Sequence, residues 1–366
     1  MKITAPINKV TETKALIEAG ADELYCGVYH DKWYSIEGRP NAKPSSRSSL
    51  KSFAELQEII KISGTYNIPV FITLNAAYNQ KQSFELIKED LKKAVDCNVS
   101  GFVVASIPLL REIRKISKDK PLILSTMANC FNSEAVSYYK DLGVSRIVLP
   151  RDLTISELAN LRDELKAKKI DMPLESFVLN LTCRNVNGYC RYHGNKYHPA
   201  SKVLSVRILR KIRGLLAYSP PKFYLNKISV IFKKYRDYNE KIQPCLLKYK
   251  ANFISCKDKS KEKVFPFWIG EPYQAICAAC SIFYLREFGI EYLKIIGRWL
   301  PTKVKIQDLT FISSLRNILN ERSMDFDEFF KKGQENYRKT YGRNCKLSEC
   351  HYASFIQNKL NPDNER

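Results

Sequence analysis

Short apolar runs rich in β-branched residues recur along the chain: KITAP (2–6), ELYCGV (23–28), PVFITL (69–74), GFVVA (101–105), PLILST (121–126), RIVLP (146–150), ESFVLN (175–180) and YLKIIG (292–297). Between them lie stretches such as SFAELQEIIKISGTY (52–66) and SFELIKEDLKKAVDC (83–97), with apolar residues three and four apart and charges elsewhere. The first pattern predicts buried strands and the second predicts helices with one apolar face. Eight such runs predict an α/β fold, a TIM-like (β/α)8 barrel. An open doubly wound sheet would share the rhythm, but no GxGxxG follows the first strand to favour it.

The rhythm changes between Cys190 and about Val264. Residues 191–264 hold 19 Lys or Arg against four Asp or Glu, a net +15 within a chain total of +22. Val203, Leu204, Val206, Ile208, Leu209, Ile212, Leu215 and Leu216 run between Lys202, Arg207, Arg210, Lys211 and Arg213, which predicts a basic amphipathic helix ended by Ser219-Pro220-Pro221. A second such stretch is KISVIFKKYRDY (227–238). The expected organisation is barrel strands one to seven over 1–190, a basic helical insert over 191–264, the final barrel segment over 265–300, and an amphipathic helical tail over 301–366 that packs on the barrel.

Charge concentrated in this way suits polyanionic partners, through counterion release or surface potential. Residues 202–241 are thus expected to meet RNA, an anionic membrane or an acidic partner, and the plain alternative is a helical hairpin with a solvated basic face. The opening MKITAPINKVTETKALIEAG has no continuous apolar leader, and no run of about 18 apolar residues follows. A cytoplasmic protein is expected, with peripheral membrane attachment through the insert as the alternative. The composition, 45% hydrophobic and 27% charged, excludes a disordered chain.

Eleven cysteines in a reducing compartment point to buried thiols or metal ligands rather than a disulfide framework. Cys183 and Cys190 follow the seventh strand, at the end where barrel enzymes work. Cys245 stands in QPCLLKY, and Cys277 and Cys280 in AICAACSIFYL. Four thiolates from such loops suit an iron–sulfur cluster or a tetrahedral zinc; the alternative is buried thiols, which is the reading for Cys26, Cys97 and Cys130. The tail motif CKLSECHY holds Cys345, Cys350 and His351. It could clasp a second metal or form an oxidisable pair, but it lacks a fourth ligand, which favours a structural role. Cys256 lies amid positive charge that would lower its pKa. His193 and His198 form an H-x4-H pair in a loop, of the kind usually solvated.

Polar residues at strand ends complete the candidate chemistry: Asn75, Thr126, Asn129, Arg151, Asp152 and Arg298. Arg151 and Arg298 could grip a small carboxylate bidentately, and the alternative for each is a salt bridge closing the barrel end. No GxSxG, HExxH or paired Cys/His site occurs.

Several segments taken in order resemble the collagenase-like peptidase family, peptidase family U32. STMANCFNSEAVSYYKDLGVSRIVLPRDLTISEL resembles its strand five to strand six region, PVFITLN its third strand, LTCRNVNGYC its C-x6-C motif, PCLLKY its CRxxY element and GIEYLKIIGR its GVxxLKIEGR. The resemblance covers residues 1 to about 300 and implies a four-iron, four-sulfur cluster on Cys183, Cys190, Cys245 and Cys277, with Cys280 as the alternate fourth ligand. It implies one of three activities. The first is oxygen-independent hydroxylation of RNA or a quinone-like ring, with prephenate as the hydroxyl source and Asn75, Arg151, Asp152 and Arg298 at the site. The second is a peptidase, and the third is an accessory subunit working with a partner of the same family. The sequence departs from the family pattern at Leu179, where members often carry His, and at Tyr189, where they carry Arg.

Overall fold

The computed structural model describes residues 1–30, 32–35, 48–76, 81–180, 249–253, 263–267, 277–321, 323–346, 349–353 and 355–356. Seven strands precede the basic segment: β1 (Lys2–Pro6), β2 (Glu23–Cys26), β3 (Val70–Leu74), β4 (Gly101–Val104), β5 (Leu122–Leu124), β6 (Arg146–Val148) and β7 (Leu174–Leu179). Two more, β8 (Tyr249–Phe253) and β9 (Lys263–Phe267), come before β10 (Tyr292–Ile295). β1 to β7 and β10 close into a barrel in the order β1-β10-β7-β6-β5-β4-β3-β2, with every pairing parallel. This is the expected TIM-like barrel. Strands β2 to β7 are buried at every position, since one face meets the lumen and the other meets helices. Burial on both faces is why they read as apolar runs rather than as alternations.

Helices α1 (Thr13–Glu18), α2 (Lys32–Ser35), α3 (Phe53–Gly64), α4 (Lys81–Asp96), α5 (Ile107–Ile116), α6 (Ser133–Asp141) and α7 (Ile155–Ala167) lie between the first seven strands. Their starts follow local chemistry. Ser52 accepts from the Glu55 amide, Asn132 from the Ala135 amide, and Thr154 with Glu157 forms a reciprocal capping box. α8 (Ile282–Glu287) precedes β10, and α9 (Thr302–Glu321) and α10 (Phe326–Tyr341) form the tail. The tail packs as expected: α9 buries Leu309, Phe311, Ile312, Leu315 and Leu319, and α10 sets Phe329 5.8 Å from Phe283 and Tyr337 5.6 Å from Phe311. No helix among the described residues is long and apolar enough to cross a membrane.

The lumen holds a buried charge network. Arg146 Nη1 lies 2.6 Å from Glu23 Oε2, and its Nε lies 3.5 Å from Glu175 Oε2. Lys294 Nζ lies 2.5 Å from Glu175 Oε1 and 4.3 Å above the Tyr25 ring. The Arg146 guanidinium stacks 3.8 Å from the Tyr292 ring centre. Burial lowers the Lys294 pKa, with Glu175 opposing it.

A second compact unit is represented, among the described residues, by β8 and β9. They pair antiparallel from Tyr249↔Phe267 to Phe253↔Lys263. β8 and the first two residues of β9 thus fall within 191–264, expected as a helical insert, and β9 runs on into 265–300, expected as the final barrel segment. Pro266 is tolerated because both strands of a two-stranded sheet are edges. The basic helices read at 202–241 lie outside the described residues, as do Cys183, Cys190, Cys245, Cys256, His193 and His198.

Candidate active site at the carboxyl end of the barrel

The carboxyl ends of β2, β3 and β10 bring Tyr25, Cys26, Thr73 and Arg298 together. Arg298 is buried; its Nη1 donates to Thr73 Oγ1 at 2.9 Å, and its guanidinium lies 6.0 Å from the Tyr25 ring centre. Thr73 Oγ1 in turn donates to the Cys26 carbonyl at 2.9 Å, and the Tyr25 hydroxyl donates to the Ile295 carbonyl at 3.0 Å. Burial lowers the Arg298 pKa, against the pull of Tyr25 and Cys26, and pushes the Cys26 thiol up to about 12. Cys26 therefore stays protonated, as its core reading expects, and Cys130 does likewise at about 12. Gly297, just before Arg298, has φ +127°, and a Cβ there would collide with Leu300. Only glycine lets the chain leave β10 in this direction.

The other strand-end residues fall around this centre. Asn75 Nδ2 donates to Ser125 Oγ at 3.0 Å, which links the loops after β3 and β5. Ser125 also caps the turn Thr126–Ala128, and Asn129 closes it with φ 56°. Arg151, after β6, is buried while Asp152 is exposed. The Arg151 carbonyl lies 2.7 Å from His351 Nε2, so the tail reaches the loop after β6. Arg298 rests on Thr73, and the Arg151 backbone meets the tail at His351. Tyr25 and Thr73 went unnoticed as site residues in the sequence, although Thr73 belongs to the quoted TLN.

The exit of β7 toward Cys183 is held by a ladder of buried groups that sequence spacing gives no hint of. Asn180, with φ 65°, donates through Nδ2 to the Ile296 carbonyl and to Asp308 Oδ2, both at 2.8 Å. Asp308 Oδ1 accepts from the Tyr341 hydroxyl at 2.7 Å. Burial raises the Asp308 pKa, and these two donors oppose it. We expect Asp308→Ala to cost about 2–4 kcal/mol by leaving buried donors unpaired, read as a lowered urea midpoint at unchanged m-value; a loss near zero would mean that the ladder is replaced by water.

Cys277 sits on the same exit. It bridges Leu179 in antiparallel fashion and Cys350 in parallel fashion, its amide donating to the Glu349 carbonyl and its carbonyl accepting from the His351 amide, both at 2.8 Å. Cys280 lies one turn further on, in Ala279–Ser281. Burial pushes the Cys277 thiol up to about 12 and Cys350 to about 11. Among the described residues, no three His, Cys, Asp or Glu side chains already converge as a metal cage.

On the loop after β2, His30 Nε2 lies 2.7 Å from Asp90 Oδ1, and Trp33 Nε1 donates to Asp90 Oδ2 at 2.8 Å. Burial raises the Asp90 pKa, against these two partners. This His–carboxylate pair matches two of the three members of a hydrolytic triad in form, but its neighbours within ring contact are Trp33 and Phe53.

A model of peptidase family U32 matches residues 8–197, more than half of the chain. The chain belongs to peptidase family U32. Among curated U32 relatives it is similar to "tRNA hydroxylation protein P1" of Bacillus subtilis, 24% identical over 52% of this chain and 41% of that protein. It is also similar to an "Uncharacterized protease" of Methanocaldococcus jannaschii, 27% identical over 52% of this chain and 43% of that protein. The chain's match thus spans well under half the length of these relatives. A solved U32 peptidase aligns over 49% of this chain and 68% of its own, at 14% identity and a TM-score of 0.38. The family match includes Cys183 and Cys190 and ends before Cys245 and Cys277.

Proposed function

We propose that this U32 protein holds a four-iron, four-sulfur cluster through Cys183, Cys190, Cys245 and Cys277, with Cys280 as the alternate fourth ligand, and hydroxylates an RNA base without oxygen. The observation that carries the reading is the likeness of residues in the U32 match to a relative named for tRNA hydroxylation. The described part of the donor set suits such a group. Cys277 lies beside Leu179, four residues before Cys183, and its sulfur accepts from the Ala279 amide at 3.4 Å, the kind of N–H donor that stabilises a ligating thiolate. When bound, the cluster would supply one-electron redox chemistry.

The chain's own residues would do the rest. Arg298, a desolvated cation at the lumen's mouth, would bind the carboxylate of a prephenate-like co-substrate, since low dielectric strengthens such a contact. Arg151 would flank it, with Asn75 and Ser125 fixing the loops around it. The basic residues of 202–241 would carry the RNA backbone, in which case binding weakens steeply with salt.

The test is iron and sulfide content, with the visible spectrum, of anaerobically purified protein and of Cys183→Ala. It is paired with nucleoside mass spectrometry of tRNA from cells grown without oxygen, with and without the gene. Iron, sulfide and visible absorption that fall in the variant, and a hydroxylated nucleoside that needs the gene, are expected. The second reading, a peptidase, has the protease-named relative in its favour. Peptide cleavage that survives iron removal would replace the hydroxylase reading with it.

A further inference from the structure

The tail motif around Cys345 and Cys350 has two thiols and lacks two donors. The fold brings two more to it. Cys350 pairs directly with Cys277 in backbone register, and Cys280 follows one turn later. The group thus joins a C-x2-C pair to a C-x4-C pair, spacings typical of four-thiolate metal sites. Cys280 packs toward α10, where its sulfur lies 3.9 Å from the position a Cβ would take on Gly333. Cys345 follows α10, and its sulfur accepts from Gln334 Nε2 at 3.8 Å.

Two further features favour a metal. Two of the sulfurs have N–H donors: Ala279 on Cys277 at 3.4 Å and Gln334 on Cys345 at 3.8 Å. Such donors favour the thiolate over the thiol. The backbone carrying Cys350 is also fixed. Glu349 accepts from Arg343 at 2.8 Å and from the Tyr337 hydroxyl at 3.4 Å, and His351 is held on the Arg151 carbonyl. The sulfurs do not yet share one centre, so coordination requires their side chains to turn inward on this fixed backbone.

We propose that Cys277, Cys280, Cys345 and Cys350 form a four-thiolate site for a thiophilic metal centre, zinc or iron–sulfur, that clasps the tail onto the exit of β7. On binding, these four part-buried thiols release their protons to water, and the metal cation offsets the thiolate charge. The site does not depend on the hydroxylase reading. It contends with that reading for Cys277 and for its alternate, Cys280.

The test measures zinc, iron and sulfide per chain in the full protein purified anaerobically, in C345S/C350S and in C183S/C190S. We expect C345S/C350S to lose one whole metal centre that C183S/C190S keeps; zinc without visible absorption, or iron with sulfide and visible absorption, identifies the metal. Full retention of metal by C345S/C350S overturns the tail site, and loss from C183S/C190S at the same time leaves the cluster reading standing. Loss of all metal from both variants overturns a separate tail site, because it assigns both pairs to one centre. A wild type without metal overturns both readings. Against misfolding, cobalt(II) is loaded into the wild type and Cys345→Ser at matched circular dichroism. The wild type should give the absorption of tetrahedral four-thiolate cobalt and the variant a weaker thiolate band; identical spectra overturn the proposal.

Discussion

Replacing Glu175 with alanine is expected to destabilise the protein by about 3–5 kcal/mol, the size typical of stranding a buried charge. Glu175 is fully buried, 2.5 Å from Lys294 Nζ, and also faces Arg146. Arg146 retains Glu23 when Glu175 is removed, whereas Lys294 is left against the Tyr25 ring with no carboxylate among the contacts described above. Its ammonium must then shed its proton or draw in water. Replacing Glu175 and Lys294 together with methionine removes both charges at similar volume and is expected to cost much less. Urea midpoints of the single and double variants check this. If the double variant is as unstable as the single one, packing rather than charge holds this part of the lumen.

An equally large loss, about 3–5 kcal/mol, is expected for Glu12→Ala. Glu12 and Lys305 are each about 1% exposed and lie 2.7 Å apart. Glu12 also accepts from the Asn8 amide and the Thr302 hydroxyl, both at 2.8 Å, and Lys305 reaches Asn8 Oδ1 at 2.5 Å. One carboxylate thus fastens the start of α9 to the loop after β1. Burial already holds the Lys305 pKa below its ordinary value, with Glu12 opposing it. Without Glu12 that pKa falls further, so the folded variant binds fewer protons than the unfolded chain. Its deficit should therefore be full near neutral pH and shrink as pH rises toward the ordinary lysine value of 10.5. Denaturation across that range checks the sign, and a deficit independent of pH would mean that Lys305 stays charged on Asn8 alone.

The barrel was legible because its strands are apolar on two faces and its helices are announced by Ser52, Asn132 and Thr154. What stayed hidden depends on contacts that only closure creates. Glu23 and Arg146 are 123 residues apart, and a glutamate in LESFVL reads as a solvent-facing residue until Arg146 and Lys294 are placed beside it. The strands β8 and β9 went unread because lysines interrupt and surround their short apolar runs, within and beside a segment read as basic and helical. Asn75, Arg151, Asp152 and Arg298 were found by the rule that strand ends carry chemistry. Their neighbours Tyr25 and Thr73 were not, because a tyrosine or threonine within an apolar run looks like packing. For the tail thiols the sequence showed both pairs, while their meeting depends on the backbone pairing of Cys277 with Cys350.

The closing strand comes late in the chain. β10 fills the place between β1 and β7, yet more than a hundred residues separate it from the end of β7. At ordinary translation speeds a ribosome needs about 5–20 s to make that stretch. If β1 to β7 pair as they emerge, the growing protein is for that time a seven-stranded sheet with two unpaired edges, the form most exposed to pairing with a neighbour. The burden of producing this protein intact therefore falls on the seconds before Tyr292 leaves the ribosome, when a chaperone that shields those edges would matter most.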